Sequence, residues 1–254
     1  TPKGMSDFSP SVMFLRNYIF SVVKSAFEKY GFSPIQTPAM ENLETLTGKY
    51  GDEGDRLIFK VLNSGDFLSK TNCDASSTSK DLTKQISDKA LRYDLTVPFA
   101  RYVVQNRNDI TFPFKRYQMQ NVWRADRPQK GRFREFFQCD ADIIGTKSLI
   151  SEIELVQLSD DLFTSLSIPN IEICINNRKV LNGMVEIMGC PELFNNIVIV
   201  LDKFDRIGID KVKQEMKSEG VSEEGILVLE KFLSSSDISE LSDLLKQSEI
   251  GTQG

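Results

Sequence analysis

The 254-residue chain contains no histidine. Ser–His–Asp and Cys–His nucleophilic catalysis, imidazole metal ligation and an imidazole general base are therefore excluded within it. Any chemistry here rests on arginine, lysine, carboxylates and amides. The four cysteines, Cys73, Cys139, Cys174 and Cys190, are scattered and form no CxxC pair. That argues against zinc and against a disulfide framework, and fits a reducing compartment. Neither GxxxxGK[ST] nor GxGxxG occurs, and the series Gly48-x-x-Gly51-x-x-Gly54 reads as a loop rather than a phosphate cradle. A nucleotide would have to be held by side-chain cations. No apolar run is long enough to cross a membrane and no signal peptide is visible, so the expected location is cytoplasmic. The net charge of −5 exerts no global pull on nucleic acid, so such a partner needs a local basic patch.

What is present suits a globular domain or two: 40% hydrophobic and 26% charged residues. Ser9-Pro10 is a helix start, followed by Val12, Leu15, Ile19, Val22, Ala26 and Tyr30 at three- and four-residue spacing, with Gly31 as the stop. Residues 32–38 read as an edge strand punctuated by Pro34 and Pro38, and residues 56–62 as another strand. Residues 71–89, rich in Ser, Asp and Lys, read as a mobile loop. A short strand ends in Leu91-Arg92-Tyr93-Asp94-Leu95-Thr96, and a helix begins near Thr96. After the central hairpin come a helix over 151–166 and a strand with Ile171, Ile173 and Ile175 alternating. From Asn177 onward amphipathic helices dominate: 180–188, 209–216, 226–233 and 238–245, with Ser222 and Ser236 or Asp237 as caps. The apolar run 197–201 is too short to assign, and the terminal Gly251-Thr252-Gln253-Gly254 resembles a cut linker. The reading is a sheet-based domain over 1–176 and a helical module over 177–254.

The segment from Phe114 to Gly145 carries most of the functional information. In extended backbone Arg116, Gln118, Gln120, Val122 and Arg124 share one face, as do Arg134, Phe136, Gln138, Asp140 and Asp142. Between them the turn Asp126-Arg127-Pro128-Gln129-Lys130-Gly131 supplies the strand breakers. Arg124, Arg127, Lys130, Arg132 and Arg134 make a local basic patch. A strand face mixing cations, amides and carboxylates suits a zwitterion and a phosphate. It also suits a solvated surface hairpin with incidental charge pairs.

Trp123-Arg124-Ala125-Asp126-Arg127-Pro128-Gln129-Lys130-Gly131-Arg132 resembles motif 2 of class II aminoacyl-tRNA synthetases, in the version of the histidyl-tRNA synthetase family. Thr1-Pro2-Lys3-Gly4 with Asp7-Phe8 resembles that family's N-terminal signature. The segment from Leu91 to Tyr102 resembles its histidine-binding segment, and the helix to Gly31 followed by Gln36-Thr37-Pro38 resembles motif 1, which builds a dimer interface. The fold this implies is α+β: a class II synthetase-like antiparallel sheet flanked by helices, with an appended helical insertion module.

The resemblance also implies roles. Arg124 would be catalytic, clamping the α-phosphate of ATP and the carboxylate of the amino acid. Asp126 would meet the adenine side or the tRNA acceptor end, and Arg132 the β- and γ-phosphates with Mg²⁺. Asp94, Thr96 and Gln138 would hold the amino group of histidine, Leu95 would also belong to the histidine site, and Asp142 would face the imidazole. At Asp126 and Asp142 the family usually carries Glu. Partners implied are L-histidine, ATP, tRNA(His) and a second copy of the chain; no protein metal ligands are assigned. Each residue has a plainer reading: Asp94 and Thr96 as helix caps, Gln138 and Asp142 as the wet face of a strand, Arg127 and Lys130 as solvent or tRNA contacts. Tyr93, Phe136, Phe137 and Trp123 read as core. The family's second catalytic arginine segment, its glycine-rich motif 3 and its anticodon-binding domain find no match, so the chain reads as an N-terminal portion of such an enzyme. A synthetase-like regulatory subunit of ATP phosphoribosyltransferase, or a tRNA-sensing paralogue without catalysis, stays open as the alternative.

Overall fold

The computed structural model describes residues 1–69, 71–72, 78–235 and 237–254. Cys73, Ser236 and part of the expected loop after Thr71 lie outside the described residues. The chain divides into two units, Thr1–Ile171 and Glu172–Gly254.

In the first unit the elements run α1 (Pro10–Lys29), β1 (Ser33–Pro34), β2 (Met40–Asn42), α2 (Leu43–Leu46), α3 (Gly51–Arg56), β3 (Lys60–Val61), α4 (Ser79–Ile86), β4 (Lys89–Leu91), α5 (Thr96–Gln105), β5 (Phe114–Trp123), β6 (Glu135–Ile144) and α6 (Ile150–Ser165). Two three-stranded sheets result, ordered β1-β5-β6 and β2-β4-β3. The β5–β6 hairpin is antiparallel from Phe114↔Ile144 to Trp123↔Glu135, and β1 adds to β5 in parallel. Its apolar face carries Tyr117, Met119, Ala141 and Ile143. These pack on Val23 and Phe27 of α1, on Phe32 and on Leu158 of α6. Each large apolar side chain so buried contributes about 1.5–3 kcal/mol. A second cluster, Leu43, Leu46, Ile58 and Ala90, joins the smaller sheet to α2.

Helix α1 begins and ends where the sequence places it. Ser9 occupies the cap position with extended backbone and Pro10 opens the helix, but the Ser9 hydroxyl meets Ser11 rather than a backbone N–H. Gly31, at φ +77°, turns the chain out of the helix.

Several expectations fail in this unit or at its end: the strand expected over 32–38 pairs only at Ser33–Pro34, and Gly51 and Gly54 of the series read as a loop lie in α3. Of the strand expected over 56–62 only Lys60–Val61 pairs, because residues 51–56 coil into α3 and β4 offers just three residues of edge. Within the expected loop at 71–89, α4 forms. Its start is a capping box in which Thr78 Oγ1 accepts from the Asp81 N–H and the Asp81 carboxylate accepts from the Thr78 N–H, both at 3.3 Å. The polarity that suggested a loop includes the cap itself. Ile171, Ile173 and Ile175 form no strand; an alternating segment needs a neighbouring ladder, and no described strand lies beside it.

The second unit is helical: α7 (Arg178–Ile187), a 3₁₀ turn at Pro191–Leu193, α8 (Phe194–Leu201), α9 (Phe204–Ser218), α10 (Glu223–Ser234), α11 (Ile238–Leu245) and α12 (Glu249–Gln253). Run 197–201 is thereby helix, and α9 is broken at Gly208, whose φ is +76°. Met184, Val185, Ile197, Val200, Val212, Met216, Ile226 and Leu229 make the core. Ser222 and Asp237 cap α10 and α11, accepting from the N–H groups of Gly225 and Ser239 at 3.1 and 3.0 Å. The terminal segment is not an extended linker. It forms α12, whose buried Gly251 lies so close to Gly183 of α7 that a Cβ on Gly183 would stand 2.4 Å from the Gly251 Cα. No helix among the described residues is long and apolar enough to cross a membrane.

Gly183→Ala is expected to destabilise the helical unit by about 1–3 kcal/mol through overpacking. Chemical denaturation reads this as a lower midpoint, while Ile199→Ala, at an exposed position, stays within about 0.5 kcal/mol.

Candidate active site

The second face of the hairpin is polar, its polar side chains buried at Arg116 and Gln118 and half-buried elsewhere. Arg116 stands opposite Asp142, Gln118 opposite Asp140, and Gln120 opposite Gln138. Arg116 and Gln118 are fully buried. Two elements cover them. From α5, the Phe99 ring lies 4.1 Å from the Arg116 guanidinium. From the chain after β1, the Thr37 hydroxyl accepts from Gln118 Nε2 at 2.8 Å, and the Thr37 N–H donates to Gln120 Oε1 at 3.1 Å. Buried Arg92 ties that cover down by donating to the carbonyls of Thr37, Pro38 and Asn121. The solvated-hairpin reading is thus overturned at Arg116 and Gln118.

At the open end of the hairpin, Arg124 lies between two aromatic rings. Its guanidinium is 4.4 Å from the Tyr93 ring and 5.2 Å from the Phe136 ring, and Nε donates to the Tyr93 carbonyl at 3.1 Å. Stacking of this kind orients the charge without neutralising it. A cavity of about 580 Å³ opens here, lined among others by Tyr50, Tyr93, Arg124, Asp126, Arg132 and Phe136.

The turn that shapes this cavity is anchored on both sides. Asp126 pairs with Arg132 at 3.4 Å, and its carbonyl accepts from Arg134 Nε at 2.9 Å. The Arg134 N–H donates to the Gly4 carbonyl at 2.7 Å, which explains the N-terminal glycine. Gly4 has φ +86°, and a Cβ there would meet Pro128 Cγ at 2.8 Å.

The structure brings Arg124, Asp126 and Arg132 together in one cavity. Gln138 and Asp142 lie further along β6 on the same face and do not line it. Asp94 Oδ1 accepts from the Tyr50 hydroxyl at 2.8 Å and from the Val97 N–H at 3.2 Å. It therefore does cap α5, as its plainer reading held. Thr96 is the exposed first residue of that helix. Leu95 has no exposed surface, so its side chain belongs to the core and it offers a ligand only backbone. Arg127 and Lys130 are exposed.

Of the aromatics read as core, Tyr93 packs against the Leu43–Leu46–Ile58–Ala90 cluster and also lines the cavity, and Phe136 lines it too. Phe137 packs on the far face against Phe20, ring centroids 4.4 Å apart. Trp123 carries the Arg92 guanidinium 5.6 Å from its ring. The sequence reading missed Tyr50 as a cavity residue, since nothing around it signals a fold-back onto Asp94. Strand alternation placed Arg116 on the right face but could not show its burial.

Burial pushes the Asp140 and Asp142 carboxyls above the usual range, and Arg116 opposes that rise. Burial also lowers the Arg116 guanidinium. Burial, then neighbouring Asp94, drives the Tyr50 phenol well above its ordinary value. Tyr50 is accordingly expected to stay protonated when ordinary tyrosines ionise near about pH 10. Ultraviolet titration of Tyr50→Phe should superimpose on that of the parent through that range; a missing tyrosinate step in the variant would contradict the geometry.

A family model described as histidyl-tRNA synthetase matches residues 66–252. The chain is 55% identical to a histidine–tRNA ligase of Christiangramia forsetii, covering 100% of this chain and 57% of the relative. It is 51% identical to a histidine–tRNA ligase of Flavobacterium johnsoniae, covering 100% of this chain and 58% of the relative. Among solved structures, histidyl-tRNA synthetase from Nostoc sp. PCC 7120 superimposes with a TM-score of 0.80 at 31% identity, over 100% of this chain and 55% of that one. The chain thus spans less than two thirds of the length of these relatives.

Proposed function

Because this chain belongs to the histidyl-tRNA synthetase family, we propose that it forms part of a histidine–tRNA ligase, which activates L-histidine with ATP and transfers it to the 3′ end of tRNA(His). The observation that carries this reading is Arg124, held between Tyr93 and Phe136 at the cavity that Asp126 and Arg132 also line. In the proposed reaction an oxygen of the histidine carboxylate attacks the α-phosphorus of ATP. The bond to pyrophosphate breaks, leaving histidyl-adenylate. Two anions must meet, and a fixed cationic fork both aligns them and offsets their repulsion. Arg124 is the proposed clamp, with Arg132 directed to the outer phosphates and Asp126 to the adenine or the tRNA end. Asp94, the backbone at Leu95, Thr96 and Gln138 are proposed to receive the amino-acid end, and Asp142 the imidazole. An acceptor buried for a ring N–H rejects isosteres lacking that donor, because it would be left unpaired.

Magnesium is proposed to accompany ATP. Among the described residues no three Cys, Asp or Glu side chains are grouped to hold a metal. The ion is proposed to bind chiefly through the nucleotide phosphates, whose charge it would screen. For tRNA, the exposed Arg127 and Lys130 at the hairpin tip are the proposed contacts. For a second copy of the chain, support comes from the exposed Phe14, Leu15 and Tyr18 on α1. Residues 177–254 are the proposed insertion domain.

ATP–pyrophosphate exchange by the full-length protein is the direct test. Exchange is expected with histidine and no other amino acid, and Arg124→Ala should reduce it on the order of 10²-fold or more. A well-folded protein that exchanges with no amino acid would overturn the reading in favour of a binding paralogue. The 254 residues alone are expected to support little or no exchange; robust histidine-dependent turnover by them would show that the second arginine segment and motif 3 are dispensable.

A further inference from the structure

Arg116 is the largest fully buried side chain of the described residues, and it is poorly satisfied. Its Nη2 stands 2.6 Å from Asp142 Oδ2, yet Nε, Nη1 and Nη2 all lack a partner with hydrogen-bond geometry. Beneath it is the Phe99 ring. A buried guanidinium so sparsely bonded costs stability, and a hydrophobic residue of similar size would fill the same space. Nearby, the Oε1 atoms of Gln118 and Gln138 are also buried without a partner. The imbalance is therefore concentrated on one stretch of the strand face. Asp142, by contrast, keeps a third of its side chain exposed. One carboxylate oxygen stands in ion-pair contact with Arg116 while the group remains partly exposed.

We infer that Arg116 is a positioning residue for the amino-acid site: through the cross-strand pair it keeps Asp142 ionised and turned so that its free oxygen accepts the ring N–H of histidine. The inference rests on the proposed function above and deepens it. The charged groups facing Asp142 are Arg116 from β5, Asp140 from its own strand, and Asp94 from the segment between β4 and α5. Arg116 is the cation in that set. Without it, Asp142 loses its nearby cation and keeps the neighbouring carboxylates, both of which favour its protonated form. A protonated Asp142 can present a donor where an acceptor is required. Burial already raises both strand carboxyls, so the loss of Arg116 acts in the same direction. Raising the pH then restores the acceptor.

The test uses the full-length protein and steady-state exchange kinetics with Arg116→Met, Arg116→Lys and Asp142→Asn. At about pH 6.5, Arg116→Met is expected to raise the KM for histidine about tenfold or more and leave the KM for ATP within about twofold. Most of the histidine defect should disappear by about pH 8.5. Arg116→Lys, which keeps a charge but lacks the fork, should fall between Arg116→Met and the parent. Combined with Asp142→Asn, Arg116→Met should add no further loss, because the two act through one contact. An unchanged histidine KM that is flat with pH would overturn the inference, as would an equal penalty in the Asp142→Asn background. Should Arg116→Met not fold, Arg116→Lys carries the same decision, with a pH-dependent rise in histidine KM expected and no change overturning it. A parent protein without histidine exchange would defeat the functional reading itself. An active parent with indifferent Arg116 variants would defeat only the role given to Arg116.

Discussion

The antiparallel pairing of β5 with β6 is the constraint on which the first unit depends. Ten residues of each strand face one another in unbroken register, and a shift by one residue would exchange the two faces entirely. With the register as it is, Tyr117, Met119, Ala141 and Ile143 meet α1 and α6. The same register sets Arg116 against Asp142 and Gln118 against Asp140 on the opposite side. Apolar packing on one face therefore holds the polar groups of the other in place. The site inherits its geometry from a core in which it takes no part.

Both ends of the polar face are finished by residues from elsewhere in the chain. At the open end Gly4 accepts from the Arg134 N–H and Tyr50 reaches Asp94, so two segments separated in sequence shape the cavity around Arg124. At the closed end Thr37 and Phe99 lie over Gln118 and Arg116. Arg92 joins these regions, since its side chain binds the Thr37–Pro38 carbonyls and its own carbonyl accepts from the Trp123 N–H. The segment proposed to bind substrate thus also contributes a structural arginine.

Several elements were legible from local pattern because their causes are local. Helix α1 follows from Pro10, an apolar stripe and Gly31. The hairpin follows from alternation interrupted by Asp126-Arg127-Pro128, and the helices of the second unit from periodicity and from caps such as Ser222 and Asp237. Where the pattern failed, the deciding partner was distant or the cue ambiguous. Ile171, Ile173 and Ile175 alternate as a strand would but lack a described neighbour to pair with. The polar stretch before Lys89 hides a capping box, and Gly251 belongs to a helix because Gly183 leaves room for it.

For the candidate site, the sequence by itself determined which polar residues lie on which segment and in what order: Arg124, Asp126, Arg132, Gln138 and Asp142 on one hairpin, with Asp94 and Thr96 at the start of a helix. Chemistry without histidine had to be cationic and carboxylate in character, and that is decided by composition alone. Tertiary structure decided which of these groups share a cavity, that Leu95 faces the core, that Tyr93 and Phe136 stack on Arg124, and that Arg116 is buried. Alternation specifies a face but not what covers it. Burial, which raises the Asp140 and Asp142 carboxyls above the usual range, is set by side chains that arrive from β1's continuation and α5, far away along the chain.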